Sequence, residues 1–454
     1  MAKGKLIVIL LALAMVLTSC GLKSPEEMYA LPKTTPEYES LQNQLDGLLA
    51  QGYEYAAPVS GDNTQSVQLI DLDGDGEDEA VAYLRDTSGN ERPLKICVFR
   101  SDGNGGYEPG VTIEGDGDAI NSVVYCQLNS KQDSAGNTPM EIVVGWRISS
   151  TVYALSAYSI ENGNVTQLMS APSYTRYAVW DLDQDNQAEI VFLQMNGAEE
   201  GGNTASYYDW SEDTMMFVNS VSLSASLSVL NTIQYSYLTD GYPALYVNST
   251  CRENAGLIIT DILSVTDGLL RNVTMDLNVG DSPTSHLAQT ALQDLSSDNV
   301  LEIPLPQALR STDGTAYNVI HWVQYSSGGY SQSTGHTYHN TADGWYLKLA
   351  EGWVNHLLLT ASETNRGATV ERAITFYYQQ RITDNPLPFL TIYKNTGTNR
   401  ESRAVMGERF LLASDSEATY AAELFSGEGS WDSGLESKDI YERFRLIVTE
   451  WSAD

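Results

Sequence analysis

Positive charge is scarce in this chain: 25 Lys and Arg stand against 59 Asp and Glu, giving a formal net charge of -34. Phosphate backbones are held by clustered cations, so this balance argues against nucleic acid as a partner. Anionic headgroups are equally poor targets for the folded part. Cysteine is also rare. Four in 454 residues cannot make a disulfide scaffold, and without a Cys-x-x-Cys pair or a Cys/His cluster there is no zinc framework. Histidine occurs five times. His336 and His339 are three apart, but on a strand that spacing puts them on opposite faces. The chain lacks Gly-x-Ser-x-Gly, a phosphate-binding loop, His-Glu-x-x-His and a dinucleotide fingerprint. Carboxylates are so plentiful that no glycosidase-like pair stands out.

What the chain does have is a repeated acidic loop. Asp71-Leu72-Asp73-Gly74-Asp75-Gly76-Glu77-Asp78-Glu79 places carboxylates at loop positions 1, 3, 5 and 9 and glycine at position 6, ahead of a strand-like run, Ala80 to Leu84. Spaced carboxylates around a sharp turn suit a hard cation such as calcium, which takes six to eight oxygens. The pattern returns from Asp181 to Glu189, where Asn186 replaces the glycine; asparagine tolerates a left-handed backbone better than most residues. A worn copy runs from Asp294 to Glu302, with Ser296 in place of an acid.

Strand-start glutamates at Glu79, Glu141, Glu189 and Glu302, with a copy stripped of its acids near Thr239 to Val247, give five units of about 55 residues. Each continues as strand, polar turn, strand, as in Lys95 to Phe99 before Asp102 to Tyr107, and Val319 to Val323 before Ser327 to Tyr330. This is the pattern of a propeller blade, a unit that buries its faces only by stacking on neighbours.

From about Tyr53 to Leu349 the chain resembles the FG-GAP/VCBS-type repeats of integrin α-subunit heads and many bacterial surface proteins. The resemblance implies an all-β fold, a β-propeller of about five to six blades, with structural calcium in loops between outer blade strands. It assigns as ligands Asp71, Asp73, Asp75, Glu79 and the carbonyl of Glu77. In the second loop it assigns Asp181, Asp183, Asp185, Glu189 and the carbonyl of Gln187. The loop at Asp294 is expected to hold a cation weakly or not at all.

The N-terminus carries Lys3 and Lys5, an apolar run from Leu6 to Leu17, and then Leu17-Thr18-Ser19-Cys20. The run is too short to span a bilayer comfortably, and the segment resembles a bacterial lipoprotein signal peptide. That resemblance implies cleavage after residue 19, lipidation including palmitate on Cys20, and anchoring to the cell membrane on its extracytoplasmic face. Residues 20–35 read as a tether. Tyr38, Leu41, Leu45, Leu48 and Leu49 predict a helix that starts near Pro36, stops at Gly52 and packs on the fold. The propeller with this helix spans 36–350, and 351–454 reads as a small C-terminal α+β cap. That cap includes strands at Glu371 to Tyr378 and Phe389 to Tyr393, and a helix from Ser437, as cap, to Ile447. Cys97 and Cys126 are expected as buried thiols.

The expected function is a lipid-anchored surface protein that binds or scaffolds an envelope or extracellular ligand, protein or glycan. The alternative is a surface enzyme acting on polysaccharide through a propeller face. The Ser-, Gly- and Tyr-rich segment from Tyr325 to Trp345 is the expected exposed binding loop.

Overall fold

The structure is a computed structural model, which describes residues 36–447 apart from 104, 133–134, 162, 172, 197–201 and 312–313. The signal-peptide, tether and lipidation expectations, Cys20 included, lie outside the described residues. Among the described residues, no helix is long and apolar enough to cross a membrane. The fold is all-β, built from several mainly antiparallel sheets. The chain divides into two compact units, one of residues up to 125 with 131–151 and 157–167, the other of 126–130, 152–156 and everything from 168.

In the first unit, α1 (Pro36–Ala50) precedes β1 (Tyr53–Tyr55), β2 (Val67–Ile70), β3 (Glu79–Asp86), β4 (Leu94–Ser101) and β5 (Tyr107–Gly115). The sheet order is β1-β3-β4-β5, with β2 also on β3. The predicted helical stripe is real: Leu41 and Leu45 are buried against Ala80, Ala82, Leu84 and Phe99. The alternate residues Val81 and Tyr83 face a second core with Ile142, Val144 and Trp146. Strand β3 is therefore covered on both faces, which is why it reads as a continuous apolar run. Each fully buried valine or leucine among them contributes about 1.5–3 kcal/mol by leaving water. Gly115 is required where the Trp146 ring crosses β5, since a Cβ there would lie 2.2 Å from it.

A further sheet has the order β6 (Ala119–Cys126), β7 (Glu141–Arg147), β8 (Tyr153–Glu161), β9 (Asn164–Ala171). Glu141 opens β7, as its place in the repeat predicts.

The second unit continues in the same manner. The sheet of β10 (Arg176–Trp180), β11 (Glu189–Gln194), β12 (Thr204–Ser211) and β13 (Thr214–Ser222) runs in sequence order. So does that of β14 (Leu227–Tyr237), β15 (Pro243–Cys251), β16 (Leu257–Thr266) and β17 (Leu269–Asn272), where β18 (His286–Leu287) adds to β16. These sheets share cores through alternate residues. Leu245 and Val247 of β15 pack with Val191 and Tyr207. Ala244 and Tyr246 pack on the other side with Ile303, Val323 and Tyr325. Strand β15 begins at Pro243, inside the stretch that the repeat marks as a copy without acids.

The remaining strands are β19 (Ile303–Ser311), β20 (Tyr317–Tyr325), β21 (Ser331–Asn340), β22 (Trp345–Leu349), β23 (Leu357–Arg366), β24 (Thr369–Tyr378), β25 (Leu387–Gly397), β26 (Phe410–Ser414), β27 (Ala418–Leu424) and β28 (Phe444–Leu446). They form one ten-stranded, nearly closed barrel-like sheet, β26-β27-β25-β24-β23-β19-β20-β21-β22-β28. The strands on either side of residue 350 thus share a sheet, joined by the parallel pairs Arg310↔Leu358 and Ser311↔Leu359. Helices α2 (Arg400–Ala404) and α3 (Ser437–Arg443) accompany it.

Two local expectations need correction. Helix α3 is capped by Glu436, not Ser437, through a reciprocal box with Asp439, and it ends at Arg443. Phe444 continues as a strand on β22 because pairing and burial beside Trp345 override the helical period. The segment from Tyr325 to Trp345 is mostly strand β21, with turns at either end; Tyr330, in the first turn, is 80% exposed. Cys97 is buried and Cys126 half-buried, and Cys97 and Cys251 are free thiols.

Candidate metal centres

The three acidic loops share one backbone frame. Each leaves a strand or bridge, turns through eight residues and re-enters on its glutamate, in the pairs Ile70↔Glu79, Trp180↔Glu189 and Gln293↔Glu302. Positions 4 and 6 are left-handed in all three: Gly74 and Gly76, Gln184 and Asn186, Ser297 and Asn299. Glycine at position 4 of the first loop answers a second need, because a Cβ on Gly74 would lie 2.9 Å from the Thr138 carbonyl oxygen.

The carboxylates at positions 1, 5 and 9 hold this frame by accepting backbone bonds. The position-6 N–H donates to position 1: Gly76 to Asp71 Oδ2 at 3.0 Å, Asn186 to Asp181 Oδ2 at 3.0 Å, Asn299 to Asp294 Oδ2 at 2.9 Å. The position-7 N–H donates to position 5: Glu77 to Asp75 Oδ1 at 2.8 Å, Gln187 to Asp185 Oδ1 at 2.7 Å, Val300 to Asp298 Oδ1 at 3.0 Å. The glutamate is clamped by the position-2 N–H, from Leu72 to Glu79 Oε2 at 2.8 Å, Leu182 to Glu189 Oε2 at 2.6 Å and Leu295 to Glu302 Oε2 at 2.6 Å.

In the second loop the four predicted side chains converge: Asp181, Asp183, Asp185 and Glu189 each place an oxygen within 4.8 Å of the others. In the first loop Asp71, Asp73 and Glu79 do so, and Asp75 is not part of that group. The Glu77 side chain turns away, accepting from Ser101 Oγ at 2.6 Å, whereas Gln187 Nε2 donates to Asp185 Oδ2 of its own loop at 2.5 Å. Their predicted contribution is through the carbonyl alone.

The second cluster leaves two carboxylate oxygens without a donor. Glu189 is wholly buried, and its Oε1 has no hydrogen-bond partner; neither has Asp181 Oδ1. Burial pushes the Glu189 carboxyl up to about 9, against the Leu182 N–H and with the charges of Asp183, Asp209 and Asp181 adding. Burial likewise pushes Glu79 up to about 7, opposed by the Leu72 N–H and reinforced by Asp73, Asp75 and Asp71. Asp183 is raised by burial and then by Asp185. A buried carboxylate with no donor or cation is costly, so these donor sets, all hard oxygens, fit a metal ion. Asp209 on β12 is a further acid of this neighbourhood that the loop pattern does not contain.

The third loop differs. Both oxygens of Glu302 are satisfied internally: besides Leu295, Ser296 Oγ donates to Oε1 at 2.7 Å and the Ser296 N–H at 3.2 Å. Gln324, 3% exposed on β20, donates its Nε2 to Asp298 Oδ1 and Oδ2 at 3.0 and 2.9 Å, and lies 3.3 Å from Ser296 Oγ and 3.4 Å from the Val300 carbonyl oxygen. Neither Asp209 nor Gln324 was reachable from the loop pattern, because strand pairing brings each in from well downstream.

His321 and His336 stack across β20 and β21 with centroids 4.5 Å apart, while His339 stacks on Tyr346 at 4.9 Å on the opposite face.

No protein-family model and no curated protein matches the chain. Among solved structures it is similar to a functionally unknown protein from Desulfotomaculum acetoxidans, at 11% identity over 67% of this chain and 89% of that one, with TM-score 0.28. It is also similar to a hypothetical selenium-binding protein from Sulfolobus tokodaii, at 10% identity over 71% and 72%, TM-score 0.27. A mannose phosphorylase from Leishmania mexicana matches at 10% identity over 65% and 92%, TM-score 0.22. Likeness at this level carries no argument about fold or function.

Proposed function

We propose that the protein is a calcium-stiffened β-propeller of five blades, exported and anchored through lipid on Cys20, that binds or scaffolds a protein or glycan at the cell surface. The blade reading is supported by four-stranded sheets that follow one another in sequence order and, within each unit, share cores through alternate strand residues. The calcium reading is carried by one observation: the fully buried Glu189 carboxylate, with an orphan Oε1, converges with Asp181, Asp183 and Asp185. The ion would neutralise these acids and fix the junction between β10 and β11; Asp71, Asp73 and Glu79 would serve the junction between β2 and β3. The role is structural, because the acids are used in coordination and the loop frame, and surface modules of this kind bind with dissociation constants on the order of 10⁻⁴ to 10⁻³ M.

Thermal melts with millimolar calcium and with chelator test the metal. Calcium should raise the melting temperature, and Asp181→Ala should remove most of the gain. An unchanged melt would sink the reading. Cys20→Ala should release the protein from membranes, and a glycan and envelope-protein binding screen addresses the ligand.

A further inference from the structure

The three loops differ in what lies opposite their glutamate. The residue after each glutamate pairs across the sheet, Ala80 with Phe99, Ile190 with Tyr208 and Ile303 with Val323. One step further along each partner strand, on the glutamate's face of the sheet, stand Arg100, Asp209 and Gln324. The same register position thus carries a cation, an acid and an amide in the three repeats. Arg100 is 49% exposed and pairs with Glu108 at 3.3 Å, so it is engaged away from its loop. Gln324 is buried and turned inward.

The partners of the Gln324 amide are informative. They are the side chains of positions 3 and 5 and the carbonyl of position 7, namely Ser296, Asp298 and Val300. Positions 3, 5 and 7 of such a loop are among those that supply oxygens to a calcium ion, together with position 1 and the closing glutamate. A side-chain amide nitrogen offers two hydrogens and no acceptor, so its partners are necessarily oxygens, as a cation's are. We propose that Gln324 Nε2 occupies the cation position of the third loop and keeps that loop permanently free of metal, and that the residue opposite the glutamate decides whether a loop of this frame takes a cation. Asp209 at the equivalent place has no hydrogen to donate and adds negative charge beside the second loop. Replacing the amide with a carboxylate should therefore turn the third loop into a cation site, since it withdraws the amide hydrogens from Ser296, Asp298 and the Val300 carbonyl and leaves acids at positions 1, 5 and 9 of the same frame. The proposal uses the calcium reading of the other two loops only for comparison.

The test counts calcium bound to the full chain by equilibrium dialysis. Asp71→Ala with Asp181→Ala silences the first two loops by removing their position-1 carboxylates, and this double variant should bind none. Adding Gln324→Asp should bring the count to one per chain, with a dissociation constant on the order of 10⁻⁴ to 10⁻³ M. One ion bound by the double variant would overturn the proposal, as would none bound by a triple variant that still melts cooperatively. Should the triple variant not fold, Asp298→Ala decides. It removes the acceptor of the Gln324 amide and should lower the melting temperature equally with calcium and with chelator, whereas a cost seen only with calcium would mean that the third loop holds the ion. A wild-type chain that binds no calcium would refute the calcium reading of the first two loops and leave the Gln324 tests as they stand.

Discussion

The loops at Asp181 and Asp294 have the same backbone and opposite polar bookkeeping. Both turn left-handed at positions 4 and 6, and both clamp a fully buried glutamate with the position-2 N–H. In the second loop, Glu189 Oε1 and Asp181 Oδ1 are left without a donor. In the third, Ser296 covers Glu302 and Gln324 covers Asp298. The frame is therefore set by backbone bonds to the acids at positions 1, 5 and 9, and it does not by itself decide whether an ion is needed. That decision lies with two side chains, at position 3 and across the strand.

The contrast can be broken most sharply at the buried glutamates. Glu302→Ala should cost about 3 kcal/mol, since it leaves the Leu295 and Ser296 N–H groups and the Ser296 hydroxyl without their acceptor. Urea unfolding should give the same loss with and without chelator. Glu189→Gln should cost about 2.7 kcal/mol when free calcium is a hundredfold above the dissociation constant, and little or nothing in chelator, because the orphan carboxylate stabilises nothing there. Equal losses in both conditions for Glu189→Gln would erase the distinction between the loops. The smallest effect concerns what the loops share. Gln184→Gly and Ser297→Gly each relieve a left-handed non-glycine residue and should stabilise by up to about 1 kcal/mol; matching shifts in differential scanning calorimetry would confirm a common frame, and a gain in one loop only would show that the frames differ.

The residues that could be read from sequence are those whose cause is local. The loop acids and the apolar run after each glutamate fix where β3, β11 and β19 begin, and the worn copy still marks β15 at Pro243 because alternation survives the loss of acids. The stripe of Leu41 and Leu45 gave α1. What escaped has distant causes. Gln324 and Asp209 reach their loops through strand register. The third loop's Asp294, Asp298 and Glu302 look like a weakened cation site in sequence, yet their partners are protein groups. The join of β19 to β23 is a parallel pairing across three intervening strands, β20 to β22, with no periodic signal. Phe444 sits in phase with a helix and leaves it because β22 offers a free edge.

That last strand bears on the order of folding. Phe444 and Ile440 fill the same core as Trp345, Leu347, Phe376 and Phe389, and β28 pairs Trp345 with Leu446. As the chain leaves the ribosome, β22 must wait for nearly all of the intervening sequence before its outer edge is covered. Closing so long a loop is slow relative to forming the hairpins within it. A nascent chain stalled before residue 437 would hold nine of the ten strands, with one wall of the core missing and an exposed edge beside it, which is a form suited to chaperone capture or degradation rather than to function.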